Sequence, residues 1–503
     1  MTKIKICLLI LVCLLTVSGC AKTETNNDFN ELSELNKAQY TIGAVVGAAS
    51  EPYVPEVFPN AVEKQFSSIT DAAIALESKQ VDAIVFTRAT LESILNEKPE
   101  SFKILDEPLG YSEIHMVISP RTEFKNLTAE INEFLAAKAS DGTLQKFYNY
   151  WFDEHNTTMP PNSTKHNVGA EKKLIVGTTG TLMPQSFYYG NQLVGYDIET
   201  IELFAAEYGY DIEYRVEDFV ALLAATEFGQ IDLICGSTMY TDERAERVIF
   251  PKTPMYKLAI SAMTRKNSVD AGGTSFFEDV KLSLEKTLIR EDRYKMILDG
   301  LNITIIISVG SLVFGTFLGL VFCMMKRSSI KIVSKLTEAF IALISGLPIV
   351  LTLMICFYIV FAGTGLSEIT VSIIAFSIDF GCYAAIILNS GIESVAAGEI
   401  EAATAMGMSN WQIFSSITLP QAVQKIFNVY RRQVISLIKA TSIVGYIAVQ
   451  DLTKVSDIIR ARTYDAFFSL IFTAAIYFLI ARLCIFLLDV AEKKLTRRKQ
   501  YAE

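Results

Sequence analysis

Apolar residues are distributed very unevenly along this chain. A short apolar run from Ile6 to Val17 opens the sequence, and long apolar segments dominate from about residue 290 onward. Between them, short apolar runs that suit β-strands alternate with segments whose apolar residues recur at the helical period. This alternation is typical of an α/β domain. The pattern therefore predicts a multi-domain protein in which an α/β region precedes an all-α transmembrane region.

Five segments after residue 290 are apolar enough to cross a bilayer. Each approaches the ~20 residues that a transmembrane helix needs. The predicted spans are 297–325, 337–361, 369–390, 427–449 and 466–489.

Basic residues predict the orientation of these spans. Lys and Arg residues follow the first span at 326–335 and fill the tail 492–503, whereas the loop 362–368 has none. The positive-inside rule then places the first loop and the tail in the cytoplasm. With five spans, residues 20–290 are expected on the outer face of a bacterial cytoplasmic membrane.

The N-terminus predicts export independently. Lys3 and Lys5 precede the apolar run, as in a secretory signal peptide, here residues 1–19. The segment ends in Val17-Ser18-Gly19-Cys20, which resembles a bacterial lipobox, so Cys20 is the expected lipidation site. Plain secretion with an incidental cysteine is the alternative. Residues 20–36 are expected to form a tether.

Composition excludes several functional classes. The 503 residues carry a formal net charge of −10 and no basic stripe, which argues against nucleic acid. The cysteines and the three histidines form no metal-ligand spacing and no nucleophile–base arrangement. The sequence predicts no metal site, no cofactor and no catalytic activity.

The most specific motif lies between the third and fourth predicted spans. Its residues are Glu401, Ala402, Ala403, Gly407, Leu419 and Pro420, with the spacing EAA-x3-G-x9-I-x-LP. Good helix formers followed by Gly and Pro also fit an ordinary pair of helices. The full spacing, however, resembles the cytoplasmic "EAA" loop of ABC-transporter permeases, which docks into an ATPase subunit.

The resemblance extends over the whole membrane region. Residues 291–491 resemble the polar-amino-acid permease subfamily, notably at Ser345-Gly346-Leu347-Pro348 and over 442–453. No Gly-x4-Gly-Lys-Ser/Thr phosphate loop occurs in the chain, so the resemblance implies a separate ATPase chain. Five spans are few for a complete pathway, which implies a second permease copy, with a homodimer expected.

Two stretches of the α/β region resemble the lobes of amino-acid-binding solute receptors. Residues 173–290 contain "VGYDIE", "DLICGS" and "TDERAERVIF", which are similar to the first lobe. Residues 37–152 resemble the second lobe with its C-terminal helices, so the usual order is reversed around a polar linker at 153–172. One permuted two-lobed domain is the hypothesis, and two half-domains that never close are the alternative.

The receptor resemblance implies a set of ligand-binding residues. Arg244 matches the arginine that clamps a ligand carboxylate, which its planar guanidinium suits. A surface arginine paired with nearby acids is the alternative. Ser237 is expected to donate to the same carboxylate or to satisfy its turn. Phe187 and Tyr188 are expected to cover the ligand or to pack in the core.

The second lobe departs from the family pattern. Gly47-Ala48-Ala49 stands where the family has Gly-Thr-Thr, and Thr87 stands where an Asp holds the ligand ammonium. A buried ammonium without compensation costs several kcal/mol. Three alternatives follow. Another acid takes the place of the missing Asp, the ligand is not a standard α-amino acid, or this domain has lost ligand binding. A polar amino acid is the expected solute.

Asp379 lies in the middle of the third predicted span. A carboxylate at that depth is expensive, so it is expected to line the translocation path, with Lys439 of the fourth span as a candidate partner. A water-filled vestibule around both groups is the alternative.

These features together predict the binding and permease subunit of an ABC importer for polar amino acids. The alternative is a ligand-gated ion channel, because Ile443-Val444-Gly445-Tyr446 superficially resembles a potassium filter. A filter needs a re-entrant loop, and these residues are expected in a continuous apolar span.

Overall fold

The computed structural model describes residues 29–266, 276–361 and 364–500. The signal peptide and Cys20 lie outside the described residues. The α/β part contains these strands and helices in chain order: α1 (Leu32–Leu35), β1 (Thr41–Val45), α2 (Tyr53–Val57), β2 (Val62–Phe66), α3 (Ile69–Glu77), β3 (Ala83–Thr87), α4 (Arg88–Glu97), β4 (Phe102–Ile104), β5 (Gly110–Ile118), α5 (Leu127–Ser140), α6 (Thr143–Tyr148), β6 (Lys172–Thr178), β7 (Thr181–Leu182), β8 (Ser186–Tyr189), β9 (Gln192–Val194), α7 (Tyr196–Tyr208), β10 (Tyr210–Val216), α8 (Phe219–Glu227), β11 (Leu233–Met239), α9 (Asp242–Ala245) and β12 (Tyr256–Arg265).

One sheet contains strands from both sides of the linker. In the described residues its order is β10-β6-β11-β5-β12-β3-β1-β2, with β4 on β12. Strands β1 and β3 are almost wholly buried apolar runs, as strands covered on both faces require. The pairs β1–β2, β1–β3, β10–β6 and β11–β6 are parallel.

Two long strands cross between the lobes. Strands β5 and β12 pair with each other in antiparallel register, from Tyr256 opposite Ile114 to Ile260 opposite Gly110. The end of β5 then joins β11 of the first lobe, and the end of β12 joins β3 of the second lobe. Each half of the sequence therefore supplies one of the two strands that connect the lobes.

The C-terminal helices of the first half pack on the second half. Trp151, in the π-helical turn after α6, donates its indole N–H to Glu199 of α7 at 2.6 Å. Burial raises the pKa of Glu199 to about 7, although the indole hydrogen bond opposes this shift. Phe134 and Phe204 pack edge to face across the same contact.

The linker 153–172 is also attached to the second half. The ring Nδ1 of His166 lies 2.7 Å from a Glu202 carboxylate oxygen. The Asn167 amide donates to the carbonyls of Ala205 and Ala206 at 2.9 and 3.0 Å. The linker therefore follows the C-terminal half of α7.

The membrane part is helical. Its helices are α10 (Phe276–Leu284), α11 (Arg293–Lys326), α12 (Lys331–Gly346), α13 (Ile349–Ile355), α14 (Glu368–Glu393), α15 (Ala397–Ala405), α16 (Asn410–Ile413), α17 (Leu419–Ala440), α18 (Leu452–Thr463) and α19 (Ala466–Gln500). Small residues let α11 and α14 approach closely, since a Cβ added at Gly319 would lie 2.5 Å from the Ala384 Cβ.

Two of the five predicted spans belong to bent pairs of helices. Among the described residues, three helices are long and apolar enough to cross a membrane, or up to five if each bent pair counts as one span. Helices α12 and α13 meet at 109° beside Pro348, whose ring and missing N–H prevent a continuous helix. The five predicted spans are compatible with this structure if each bent pair counts as one span; the second span is bent beside Pro348, and a bend follows the fourth.

The second bend follows the fourth span. Residues Thr441–Ile447 form a 3₁₀ segment at the end of the helical stretch Asn410–Ile447, so Ile443–Tyr446 lie in a continuous span as predicted, and Ala448 has a positive φ of 64° before α18 begins. The bend across this break is 57°. At the C-terminus, α19 continues to Gln500, so the predicted tail from residue 492 prolongs the last helix.

The shared sheet predicts the outcome of cutting the linker. Lys165 is exposed there, so a protease site at 162–165 should be cleaved while His166 and Asn167 remain bound to α7. We expect the two fragments of the full-length protein to stay together on a sizing column without denaturant. Separation of the fragments would contradict the shared sheet.

Candidate functional site

A cavity of about 80 Å³ lies between the two lobes. It is built at the carboxyl ends of parallel strands from both lobes, which is where open α/β sheets bind ligands. The lining comes from β3, from both crossing strands, and from the segments at or after the ends of β1, β2, β6 and β10. The lining residues are 45–49, 67–69, Phe86, Thr87, Ile114, Thr179, Thr181, Leu182, Gln185, 218–219, Tyr256 and Leu258. Its volume is below the roughly 300–1,000 Å³ of typical ligand pockets.

Arg244 stands beside this cavity and binds backbone. Thr241 caps the short helix α9 by accepting from the Arg244 N–H at 3.2 Å, which fixes the arginine in place. The guanidinium donates to the Gly47 carbonyl at 2.7 Å and the Met239 carbonyl at 3.1 Å. It also lies 5.4 Å from the centre of the Phe219 ring.

The environment of Arg244 is partly apolar, and burial lowers its pKa. Because Gly47 belongs to the second lobe and Met239 to the first, the side chain joins the lobes. The alternative of an exposed arginine paired with its neighbouring acids is therefore wrong. Two of its donors are held by carbonyls rather than directed at a ligand carboxylate.

Thr87 and the turn 47–49, which depart from the family pattern of the second lobe, line the cavity. The Thr87 hydroxyl is buried there and donates to Thr90 at 3.1 Å. The Gly47 N–H donates to the Glu51 carboxylate at 2.6 Å, so an acid lies at the turn where the family pattern has hydroxyl donors. Gly47 has a φ of 74°, which explains a glycine at this turn.

Of the two roles predicted for Phe187 and Tyr188, the structure agrees with packing rather than with cover of a ligand. Phe187 is fully buried in the core against Trp151 and does not line the cavity. The Tyr188 hydroxyl accepts a hydrogen bond from Gln450, and its ring packs among membrane-part residues such as Met296 and Leu452. The side chain of Ser237 lies outside the described residues.

A second cavity, of about 410 Å³, lies in the membrane part. Asp379 of α14 lines it together with Tyr383, Gln433 and Ser436, and apolar residues from α13 and α17 complete the wall. Among the described residues, no hydrogen bond or ion pair of the Asp379 carboxylate occurs. Lys439 is exposed outside this lining, so the predicted Asp379–Lys439 pair is not formed.

The motif segment forms two short helices at the surface. Ala403 is buried, whereas Glu401, Ala402 and Gly407 are exposed. Gly407, with a φ of 80°, follows the end of α15, as predicted. Pro420 lies near the start of α17 instead of ending a helix, and Leu419 precedes it.

The exposed surface of this segment is partly apolar. Met406 and Trp411 are 73% and 72% exposed, so two large apolar side chains of this segment have little cover from this chain. Such a surface is typical of a contact with another protein.

Sequence reasoning missed the contacts between the binding part and the membrane part. Arg460 forms an ion pair with Asp71 at 2.8 Å, and Lys454 forms one with Asp218 at 3.1 Å. Asn191 donates to Asp299 at 2.9 Å. The sequence did contain a signal for these contacts, namely several charged residues within 451–462, next to apolar spans. Charged groups buried at such a place need partners, which another part of the chain can supply.

Comparisons with known proteins agree with both parts. The model of the family "Binding-protein-dependent transport system inner membrane component" matches residues 311–500. The model of "Bacterial extracellular solute-binding proteins, family 3" matches residues 174–351, and so runs on into the membrane part.

Individual relatives are named as transport permeases. "Probable amino-acid ABC transporter permease protein YckA" of Bacillus subtilis is 30% identical over 209 residues, which cover 41% of this chain and 92% of the relative. The L-cystine transport system permease protein TcyB of the same organism is 30% identical over 42% of this chain and 91% of its own length. A solved amino acid ABC transporter with histidines is 28% identical, with a TM-score of 0.38, over 44% of this chain and 99% of that chain.

The geometry of Arg244 gives a stability prediction. Arg244→Lys keeps the charge but cannot bind both carbonyls, so we expect the free energy of unfolding of the binding part to fall by about 1–2 kcal/mol. Denaturation can be followed by Trp151 fluorescence in a Trp411→Phe background, because the chain has only two tryptophans.

The control is Arg247→Lys, whose guanidinium pairs with Glu227 at the surface. We expect this variant to change stability by no more than about 0.5 kcal/mol. Equal losses in the two variants would show that Arg244 does not hold the lobes.

Proposed function

We propose an import cycle for this chain, which belongs to the family of binding-protein-dependent transport system inner membrane components and fuses a solute-binding domain to an amino-acid ABC transporter permease. The chain is not an enzyme, and in such systems the ATPase is a separate subunit. In the proposed cycle, the binding domain captures a polar amino acid outside the cell. The solute then passes into the membrane part, and ATP hydrolysis by the partner drives the change of access.

The surface of α15 and α16 is the observation that carries the coupling step. Glu401 is exposed there, and Met406 and Trp411 present apolar area that this chain does not cover. A cytoplasmic ATPase that buries Trp411 and Met406 would gain a hydrophobic contact at the centre of its interface. The segment is held to the rest of the permease by Gln421 of α17, whose amide donates to the Glu399 carboxylate of α15.

The proposed domain division follows from this cycle. Residues 1–19 are a signal peptide, 20–36 a lipid-anchored tether, 37–152 the second lobe, 153–172 the linker, 173–290 the first lobe, 291–491 the permease and 492–503 the tail. The binding part lies outside, and the segment around Glu401 and the tail lie in the cytoplasm. A permuted single domain is supported by the crossing strands β5 and β12, one from each half.

A second permease copy completes the proposed assembly. Helices α11, α12 and α19 expose large apolar side chains, among them Phe314, Phe340 and Phe478. Lipid covers part of this area, and a second copy, most simply of this chain, covers the rest. A homodimer gives the partner ATPases two equivalent docking segments.

Asp379 is proposed to line the translocation path. Its carboxylate faces a cavity of about 410 Å³ bounded by α13, α14 and α17. A carboxylate in a membrane region is retained when it serves transport. The cationic ammonium of an amino acid is a suitable transient partner.

Transport by the reconstituted system tests the proposed function. The chain is placed in proteoliposomes with its cognate ATPase, and uptake of radiolabelled polar amino acids, cystine among them, is measured. We expect uptake that requires ATP and falls about tenfold in Glu401→Ala. Glu338→Ala, a control at another exposed glutamate, should transport normally, and uptake without ATP would contradict the proposal.

Asp379→Asn tests the path through the membrane. The substitution keeps the size of the side chain and removes its charge, so we expect the rate of uptake to fall roughly tenfold or more. Lys439→Gln is the matched control, because Lys439 lies outside the cavity lining. Equal rates for Asp379→Asn and the unsubstituted chain would exclude a role for this charge.

A further inference from the structure

Helix α18 lies against both lobes of the binding domain. It belongs to the membrane part, directly after the 3₁₀ segment Thr441–Ile447 and the break at Ala448. Most of its residues are buried, although its sequence is rich in charge. The contacts of this one helix therefore have to satisfy several charged groups.

The first turn of α18 contacts the first lobe. Lys454 donates from its ammonium to the Asp218 carboxylate at 3.1 Å, and the lysine side chain is only 9% exposed. Asp218 precedes α8 and lines the cavity between the lobes. The contact therefore lies at the first-lobe rim of that cavity.

The last turn of α18 contacts the second lobe. Arg460 donates to the Asp71 carboxylate of α3 at 2.8 Å. Asp71 follows the segment 67–69, which lines the second-lobe side of the same cavity. Tyr464, just beyond the helix, is buried in the second-lobe core with Ile69 and Ala72.

Other contacts fix α18 to the membrane helices. The Leu452 N–H donates to the Thr304 hydroxyl of α11 at 3.1 Å. The Ser456 and Ser469 hydroxyls lie 2.9 Å apart, which joins α18 to α19. Because Gly300 of α11 has no side chain, Val455 and the backbone of Asp451 can approach it closely.

We propose that α18 is a strap that joins the two rims of the binding cleft and links their separation to the fourth span. The lobes cannot move apart unless the Lys454–Asp218 contact or the Arg460–Asp71 contact breaks, and α18 then moves with the lobe to which it stays bound. Since α18 continues from α17 through the break at Ala448, movement of the strap moves the end of that span.

The strength of the two ion pairs sets the expected effect. Each is partly exposed, so its contribution is about 1 kcal/mol, which corresponds to a change of roughly threefold to tenfold in an opening equilibrium. Loss of either pair should therefore increase opening of the whole cleft by such a factor.

Hydrogen–deuterium exchange on the full chain in nanodiscs tests the strap. Lys454→Gln should speed exchange about threefold to tenfold at 45–49 and 67–69, in the lobe that Lys454 does not contact. Arg460→Gln should do the same at 217–222, in the other lobe. Faster exchange in the lobe that the substituted residue does not contact is the result that distinguishes the strap. Loss of a purely local contact would speed exchange only in the lobe that the residue contacts.

The controls remove similar pairs that lie within the first lobe alone. Lys173→Gln breaks the pair with Glu213, and Arg247→Gln breaks the pair with Glu227. Neither should alter exchange in the cleft segments. The swapped variant Arg460→Asp with Asp71→Arg restores a charge pair and should return exchange at 217–222 towards the original rate.

Exchange that increases only in the contacted lobe, or in neither lobe, would overturn the proposal, and so would an equal increase in the controls. The inference rests on the proposed two-lobed receptor, yet this measurement uses no solute and no ATPase. A failure of the strap is therefore distinguishable from a failure of transport.

Discussion

The antiparallel pairing of β5 with β12 is the constraint on which the rest of the binding domain depends. Each strand begins beside one lobe and ends in the other, so ten backbone positions, five on each strand, define the relative placement of both lobes. The cavity lies between the lobes because the parallel strands on either side point their carboxyl ends towards it. Arg244 then closes one side of this space by binding Gly47 across the cleft.

The same pairing lets residues from both sides of the linker form one two-lobed domain. A two-lobed domain needs two connections between its lobes, and β5 supplies one before the linker while β12 supplies the other after it. The linker runs from the π-helical turn after α6 to the start of β6 and contributes no strand of its own to the sheet. Trp151 and Glu199 show how closely the two halves pack, because their hydrogen bond is buried between helices from opposite sides of the linker.

The sequence predicted the elements whose signal is local. The α/β alternation before residue 290 and the long apolar segments after it predicted the two kinds of domain, and Gly407 follows the end of α15, as predicted. The family resemblances to a permease and a solute-binding domain also agree with the comparisons. These features depend on residues near one another in the chain, so their patterns are visible without the fold.

The features that sequence reasoning missed depend on tertiary contacts. For Phe187 and Tyr188 the sequence left two roles open, cover of a ligand and packing in a core, because an aromatic residue after a strand suits both. Arg244 was expected to hold a carboxylate, and only the folded chain brings the Gly47 carbonyl within 2.7 Å. The bends at Pro348 and Ala448 were missed because the flanking apolar runs are long enough for straight spans.

The central claim is that one chain presents a receptor to the outside and an ATPase-docking segment to the cytoplasm. Thiol labelling of protoplasts tests it most directly, with cysteines placed singly at the exposed positions Glu246 and Glu401 and the unsubstituted chain as background. The account predicts that a membrane-impermeant reagent labels Glu246→Cys in intact protoplasts and Glu401→Cys only after the membrane is opened. Labelling of Glu401→Cys from outside would contradict it, since no cytoplasmic ATPase could then reach that segment.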